Sequence, residues 1–268
     1  MPVDQMLRLR QGIDMNTETS RIALVTGASR GIGAAIARRL AKQGFLVACA
    51  ARSTDAIKAI AEEIGGLAVP LDLANPQAID AAVEEVENKA GHIDVLVNNA
   101  GIAISAPLGR TTDTHWDQTI AINLTAGFRL TRRILPGMVE KGFGRVVFVA
   151  SNAGLAGYSY TSAYCASKHG VIGLTRSLAV EFAKTGVTIN AVCPGFVETD
   201  MAKQAMNNIQ ASTGRDAAAS RRALERMNPQ GRLIQVDEVA HAVLNLISDG
   251  SRGINGQAIT IDGGQVMH

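Results

Sequence analysis

Short β-branched apolar runs alternate with longer amphipathic stretches from about residue 21 to the end of the chain. The runs IALVT (22–26), LVACAA (46–51), LAVPL (67–71), DVLVN (94–98), RVVFVA (145–150), VTINAV (187–192) and AITI (258–261) predict seven strands. Several are apolar at every position, the pattern of parallel strands covered by helices on both faces. Helical patterns fill the intervals at about 31–43, 55–64, 76–90, 113–140, 162–184 and 236–248. Asn75-Pro76 supplies an N-cap and a proline at the first helical position, and Gly91 a C-cap. Strand–helix alternation of this kind predicts an α/β fold, a doubly wound parallel sheet with helices on both faces.

No repeat, linker or low-complexity tract divides the pattern, so residues 21–268 read as one domain. Residues 1–20 are polar, lack the apolar core of a signal peptide and read as a flexible extension, with Met15 a candidate natural start. Residues 200–230 follow a strand and read as a helical, partly mobile insertion. It lies beyond a strand's carboxyl end, where open α/β sheets bind ligands, so a substrate lid is expected; an inert surface hairpin is the alternative.

Composition narrows the function. The 268 residues are 47% hydrophobic and 4% aromatic, and 26 basic against 24 acidic side chains leave a net charge of +2, so no nucleic-acid partner is implied. Cys49, Cys165 and Cys193 are far apart with no CxxC spacing, and the five histidines are scattered. This fits a reducing cytoplasm and predicts no metal site. No apolar stretch reaches the roughly 20 residues of a membrane span.

Candidate chemistry begins with Gly27-Ala28-Ser29-Arg30-Gly31-Ile32-Gly33, which leaves the first strand and opens the first helix. Glycines there let backbone N–H groups approach a pyrophosphate at the helix's positive end; a purely structural turn is the alternative. An acidic residue that would bond the adenosine ribose is expected about 20 positions further on, but Ala51 and Arg52 stand there. A guanidinium bonds a 2′-phosphate that a carboxylate would repel, and Arg30 can approach from the other side. NADP(H) is therefore favoured over NAD(H), although both arginines could simply be solvated.

Tyr164 and Lys168, four apart near the start of a helix, share one face. A tyrosine's ordinary pKa of about 10 is too high for proton exchange at neutral pH, and a nearby ammonium or oxidised nicotinamide would lower it. Cys165 points about 100° away round the helix and reads as a packed side chain rather than a nucleophile. His115 and Trp116, in a segment shared with Ile120, read as core or subunit packing.

Taken with the glycine loop, Asn98-Asn99-Ala100-Gly101 and Ser151, the pattern resembles the short-chain dehydrogenase/reductase family over nearly the whole chain from residue 21. Ser151 stands thirteen residues before Tyr164, the family's spacing, and Asn123 matches its fourth catalytic position. The resemblance implies a single Rossmann-type domain and a division of labour. Tyr164 would be the general acid or base, Ser151 would bond the substrate oxygen, and Lys168 would bind the nicotinamide ribose and lower the tyrosine pKa. Asn123 would hold a water linking Lys168 to solvent. Asp72 and Leu73 would face the adenine. Asn99, Ala100 and Gly101 would line its ribose, although the NNAG motif could equally be architectural. Pro194, Gly195, Val197 and Thr199 would close over the nicotinamide and its phosphates.

Among family members the chain looks most like 3-oxoacyl thioester reductases and polyketide ketoreductases, which implies a small-molecule or thioester-linked carbonyl substrate. Arg215, Arg221, Arg222 and Arg226 in the insertion suit a phosphate-bearing or acidic carrier, or form a solvated basic face. The 3-hydroxybutyrate dehydrogenases carry a histidine two residues after the serine, where Ala153 stands here. A free ketone, cyclic alcohol or polyketide substrate is the alternative, and a catalytically silent cofactor-sensing protein is an alternative of another class. Family resemblance further implies a homotetramer built on the helices at about 113–140 and 162–184 and on the last strand.

Overall fold

The computed structural model describes residues 20–267; the expected extension at 1–20 and the candidate start at Met15 lie outside them, residue 20 apart. Seven strands form one sheet: β1 Ile22–Thr26, β2 Leu46–Ala51, β3 Leu67–Pro70, β4 Val95–Asn98, β5 Gly144–Val149, β6 Val187–Pro194 and β7 Ala258–Ile261. All pair in parallel, in the order β3-β2-β1-β4-β5-β6-β7. The order reverses between β1 and β4, and the crevice at such a switch point is where a doubly wound sheet takes its ligand.

Alternate strand residues feed two cores. On one face Leu24, Ala48, Leu96 and Ile189 pack against α3 (Pro76–Ala90), α5 (Ala126–Lys141) and α6 (Ser162–Glu181). On the other, Ala23, Val25, Val47 and Cys49 meet α1 (Gly31–Lys42), α2 (Thr54–Ile64) and α9 (Val236–Ile247). Both expected caps of α3 are present: Asn75 Oδ1 accepts from Gln77 N at 3.0 Å and the Gly91 N–H bonds Glu87 O at 2.9 Å.

Three expectations need correction. The stretch at 113–140 is not one uniform helix, because α4 (Asp113–Ile120) joins α5 through a wider π-type turn at Ala121–Thr125. The helix expected to reach residue 184 ends at Glu181, and β6 runs two residues beyond the expected 192. Within the insertion two helices form, α7 (Asp200–Thr213) and α8 (Ala217–Glu225), separated by Gly214 at φ +70°. Among the described residues no helix is long and apolar enough to cross a membrane.

Candidate active site

The glycine loop turns tightly at the carboxyl end of β1, where Gly27 N bonds Ala50 O at 2.7 Å. A Cβ on Gly33 would overlap the Gly27 carbonyl, so only glycine lets α1 start this close to the strand. Gly31, at φ +55°, faces the Thr199 side chain. The N-cap, Arg30, makes no side-chain cap and the first turn of α1 holds no acidic residue. That leaves backbone N–H donors at a positive helix end, which suits a pyrophosphate. Ser29 and Ile32 are half-buried beside this turn.

The neighbouring Asn98–Gly101 motif braces that loop. Thr26 Oγ1 accepts from Asn99 N at 3.0 Å and Ala100 N at 3.1 Å, and Asn99 Nδ2 donates to Thr26 O at 2.8 Å. Of the residues expected at the adenosine end, Arg52 is exposed after β2, and Arg30 is exposed with its Nε 3.5 Å from Asp200 Oδ2. Asp72 is also exposed, and its Oδ1 already accepts from Ala74 N at 3.1 Å. At the other end Pro194 closes β6, Gly195 N bonds Ile261 O at 3.1 Å, Val197 bridges Ile234, and Thr199 Oγ1 donates to Val197 O at 3.2 Å.

Between these two banks stand Ser151, Tyr164 and Lys168. Ser151 follows β5, is 8% exposed, and its Oγ accepts from Ala153 N at 3.1 Å while facing Pro194 O at 3.5 Å. Tyr164 lies in the first turn of α6 and Lys168 one turn later, its Nζ 5.7 Å from the tyrosine ring centre and 2.9 Å from Val149 O. Burial pushes the Lys168 amine down to about 8, with Cys193 acting weakly the other way. Burial likewise pushes the Tyr164 phenol up; the Ser151 hydroxyl pulls it down, and Cys165 and Cys193 add to the rise. In the protein without cofactor, burial is thus the largest influence on the phenol, and the Lys168 ammonium faces its ring from 5.7 Å.

Asn123 sits in the π-type turn, 6% exposed. Its Oδ1 accepts from Ile102 N at 2.8 Å, and its Nδ2 donates to Ile102 O at 2.9 Å and Ser167 Oγ at 3.1 Å. Both amide protons are thus committed, so the expected water cannot rest on them. Beside it, Thr26, Leu73, Asn98, Ala100, Asn123 and Lys168 help line a cavity of about 10 Å³, enough for the centre of one water. Into this region falls Asn98 Oδ1, a buried acceptor without a partner among the described residues.

Other expected residues resolve simply. Cys165 packs with Sγ 3.3 Å from Thr161 Oγ1. Trp116 is 43% exposed and not part of the core. Arg221 is committed to Glu198 at 2.7 Å and Glu225 at 2.8 Å, whereas Arg215, Arg222 and Arg226 are exposed. Asn152 and Asp262, outside the residues expected from the sequence, meet beside Ser151; the Asp262-Gly263-Gly264 run is a readable turn signal.

The family model described as short chain dehydrogenase matches residues 21–210. The 3-oxoacyl-[acyl-carrier-protein] reductase FabG of Escherichia coli K12 is 39% identical over 255 residues, spanning 94% of this chain and 100% of that protein. Its namesake in Vibrio cholerae is 41% identical over the same length, with the same shares covered. Among solved structures, a variant of actinorhodin polyketide ketoreductase with NADPH superposes at a TM-score of 0.89 and 38% identity, covering 92% of this chain and 97% of that one. With the tyrosine, lysine and serine gathered at the sheet's carboxyl edge, the chain belongs to the short-chain dehydrogenase family and is an oxidoreductase.

Proposed function

We propose that this enzyme reduces the ketone of a 3-oxoacyl thioester with NADPH. The observation that carries the reading is the meeting of Ser151, Tyr164 and Lys168 at the carboxyl edge of the sheet, the edge at which the uncapped N-terminus of α1 starts. Bound there, the nicotinamide supplies the hydride. Tyr164 gives its phenolic proton to the carbonyl oxygen as charge develops on it, and Ser151 donates a hydrogen bond to the same oxygen. Lys168, held by Val149 O, keeps further donors for the nicotinamide ribose and for proton supply. Asn123, held by Ile102 and Ser167, lines with Lys168 the small cavity in which a relay water would sit. A thioester substrate is favoured by relatives named for 3-oxoacyl carrier-protein reduction.

Acetoacetyl-CoA and cyclic ketones, each assayed with NADPH and NADH, test the substrate reading. Turnover of the thioester is expected. Turnover confined to cyclic ketones would favour instead a free-ketone or polyketide reductase, a reading to which the likeness to a polyketide ketoreductase lends weight.

Cofactor choice rests on Arg52 and Arg30, both exposed near the adenosine end with Ala51 in place of an acid. Arg52→Asp is expected to raise the NADPH KM by about 10-fold or more while changing that for NADH less than threefold, since it replaces a charge-assisted bond with repulsion. Equal losses with both cofactors would remove Arg52 from phosphate recognition.

A further inference from the structure

Asp262 directly follows β7 and is 2% exposed, yet nothing in the proposed chemistry uses it. Its Oδ1 accepts from Gly264 N at 3.1 Å and Gln265 N at 3.2 Å, and its Oδ2 from Val266 N at 2.9 Å, so the carboxylate ties its own turn. A fourth bond comes from far along the chain: Asn152 Nδ2 donates to Oδ2 at 3.3 Å. Asn152, 5% exposed, immediately follows Ser151. A second link reaches the same segment, since Gln265 Nε2 donates to the Tyr158 phenol oxygen at 2.9 Å. Asp262 also packs on Gly195, where an added Cβ would sit 2.9 Å from its own Cβ.

These contacts converge on one hydroxyl. Ser151 Oγ lies between Ala153 N, on the segment that Asn152 and Tyr158 anchor, and Pro194 O, on the segment that Gly195 anchors. The turn formed by residues 262–266 joins the two segments whose spacing fixes that oxygen. We propose that this C-terminal turn is a positioning element for Ser151, with Asp262 acting through Asn152. The proposal rests on the reading of Ser151 as the group that bonds the reacting oxygen. It extends that reading to the protein's acid–base behaviour. The groups facing the Tyr164 phenol are Ser151, Cys165, Cys193 and the Lys168 ammonium over its ring, and the Ser151 hydroxyl is the one that hydrogen-bonds it and so counters the upward push of burial. A displaced Ser151 would let the phenol's pKa climb.

Asn152→Ala cuts the link while leaving the three backbone bonds of the turn intact, and Asp262→Asn approaches it from the other side. Ser151→Ala serves as the control. Each variant is assayed in reduction with NADPH, using whichever of acetoacetyl-CoA and cyclohexanone the wild type turns over, across the alkaline pH range. For Asn152→Ala kcat should fall on the order of 10-fold, as displaced catalytic groups do, with NADPH KM within about twofold. The alkaline limb should move to higher pH, which a merely structural staple would not cause. The swap Asn152→Asp with Asp262→Asn restores an amide–carboxylate bond and should recover part of the lost kcat. A folded Asn152→Ala with unchanged kcat and pH limb, beside a crippled Ser151→Ala, overturns the proposal and leaves the reading of Ser151 standing. Full activity in Ser151→Ala overturns both. If Asp262→Asn does not fold, Asn152→Ala alone decides.

Discussion

Tyr164→Phe should lower kcat for ketone reduction by about 10³-fold, within the 10² to 10⁴ that a positioned general acid contributes. The substitution removes one oxygen and keeps the ring, so the packing of α6 against the sheet and the donors on Lys168 survive. NADPH affinity, followed by fluorescence titration, should stay within about twofold, which separates loss of the proton donor from loss of the site. The wild-type pH profile carries the same argument. Burial holds the Tyr164 phenol above its ordinary value, with Ser151 only partly offsetting it. A phenol that must be protonated to act therefore keeps reduction active through neutral pH, and the rate should fall only in the alkaline range. Reverse oxidation needs the phenolate and should rise over that same range. A drop of less than tenfold in Tyr164→Phe would place the proton donor elsewhere.

How much of this was legible in the sequence depended on whether the cause was local. Strands β1, β2 and β7 fall at the predicted residues, because short apolar runs bounded by nearby glycine or polar residues leave no other periodicity. The helix α3 is bounded where Asn75-Pro76 and Gly91 predict, since both caps act within a turn. Tyr164, Lys168 and Ser151 were readable because helix spacing and a strand end bring them together. The π-type turn at Ala121–Thr125 was not. Its apolar pattern continues that of a plain helix, and the bonds of Asn123 to Ile102 and Ser167 are tertiary. The Asn152–Asp262 bond spans 110 residues and left no local trace. The desolvation of the Tyr164 phenol was not legible for a related reason: a neighbouring ammonium can be read from spacing, whereas desolvation depends on what covers the ring.

Lys168→Met is expected to disable the enzyme and, at neutral pH, to make the protein without cofactor more stable. Lys168 is 5% exposed, and burial lowers its amine from 10.5 to about 8. A folded-state pKa below the unfolded one means that the unfolded chain holds its proton more tightly. Below pH 8 the folded protein therefore carries the full penalty of a buried ammonium, about 3 kcal/mol from the size of the shift. Between about 8 and 10.5 the penalty fades as pH rises, and above 10.5 it is gone. Methionine fills a similar volume without the charge but forfeits the charge-assisted bond to Val149 O, worth about 2 kcal/mol. A net gain of about 1 kcal/mol remains at pH 7, or roughly 2–4 °C in Tm for a domain of this size. Thermal unfolding of both proteins at pH 7 and pH 10 checks the sign: the advantage should shrink at the higher pH. The loss of kcat, expected to exceed about 10²-fold, should persist across that range because the proposed ribose contact and proton supply would disappear together. A variant less stable than wild type at pH 7 would mean that the buried ammonium is already compensated and is no burden on the fold.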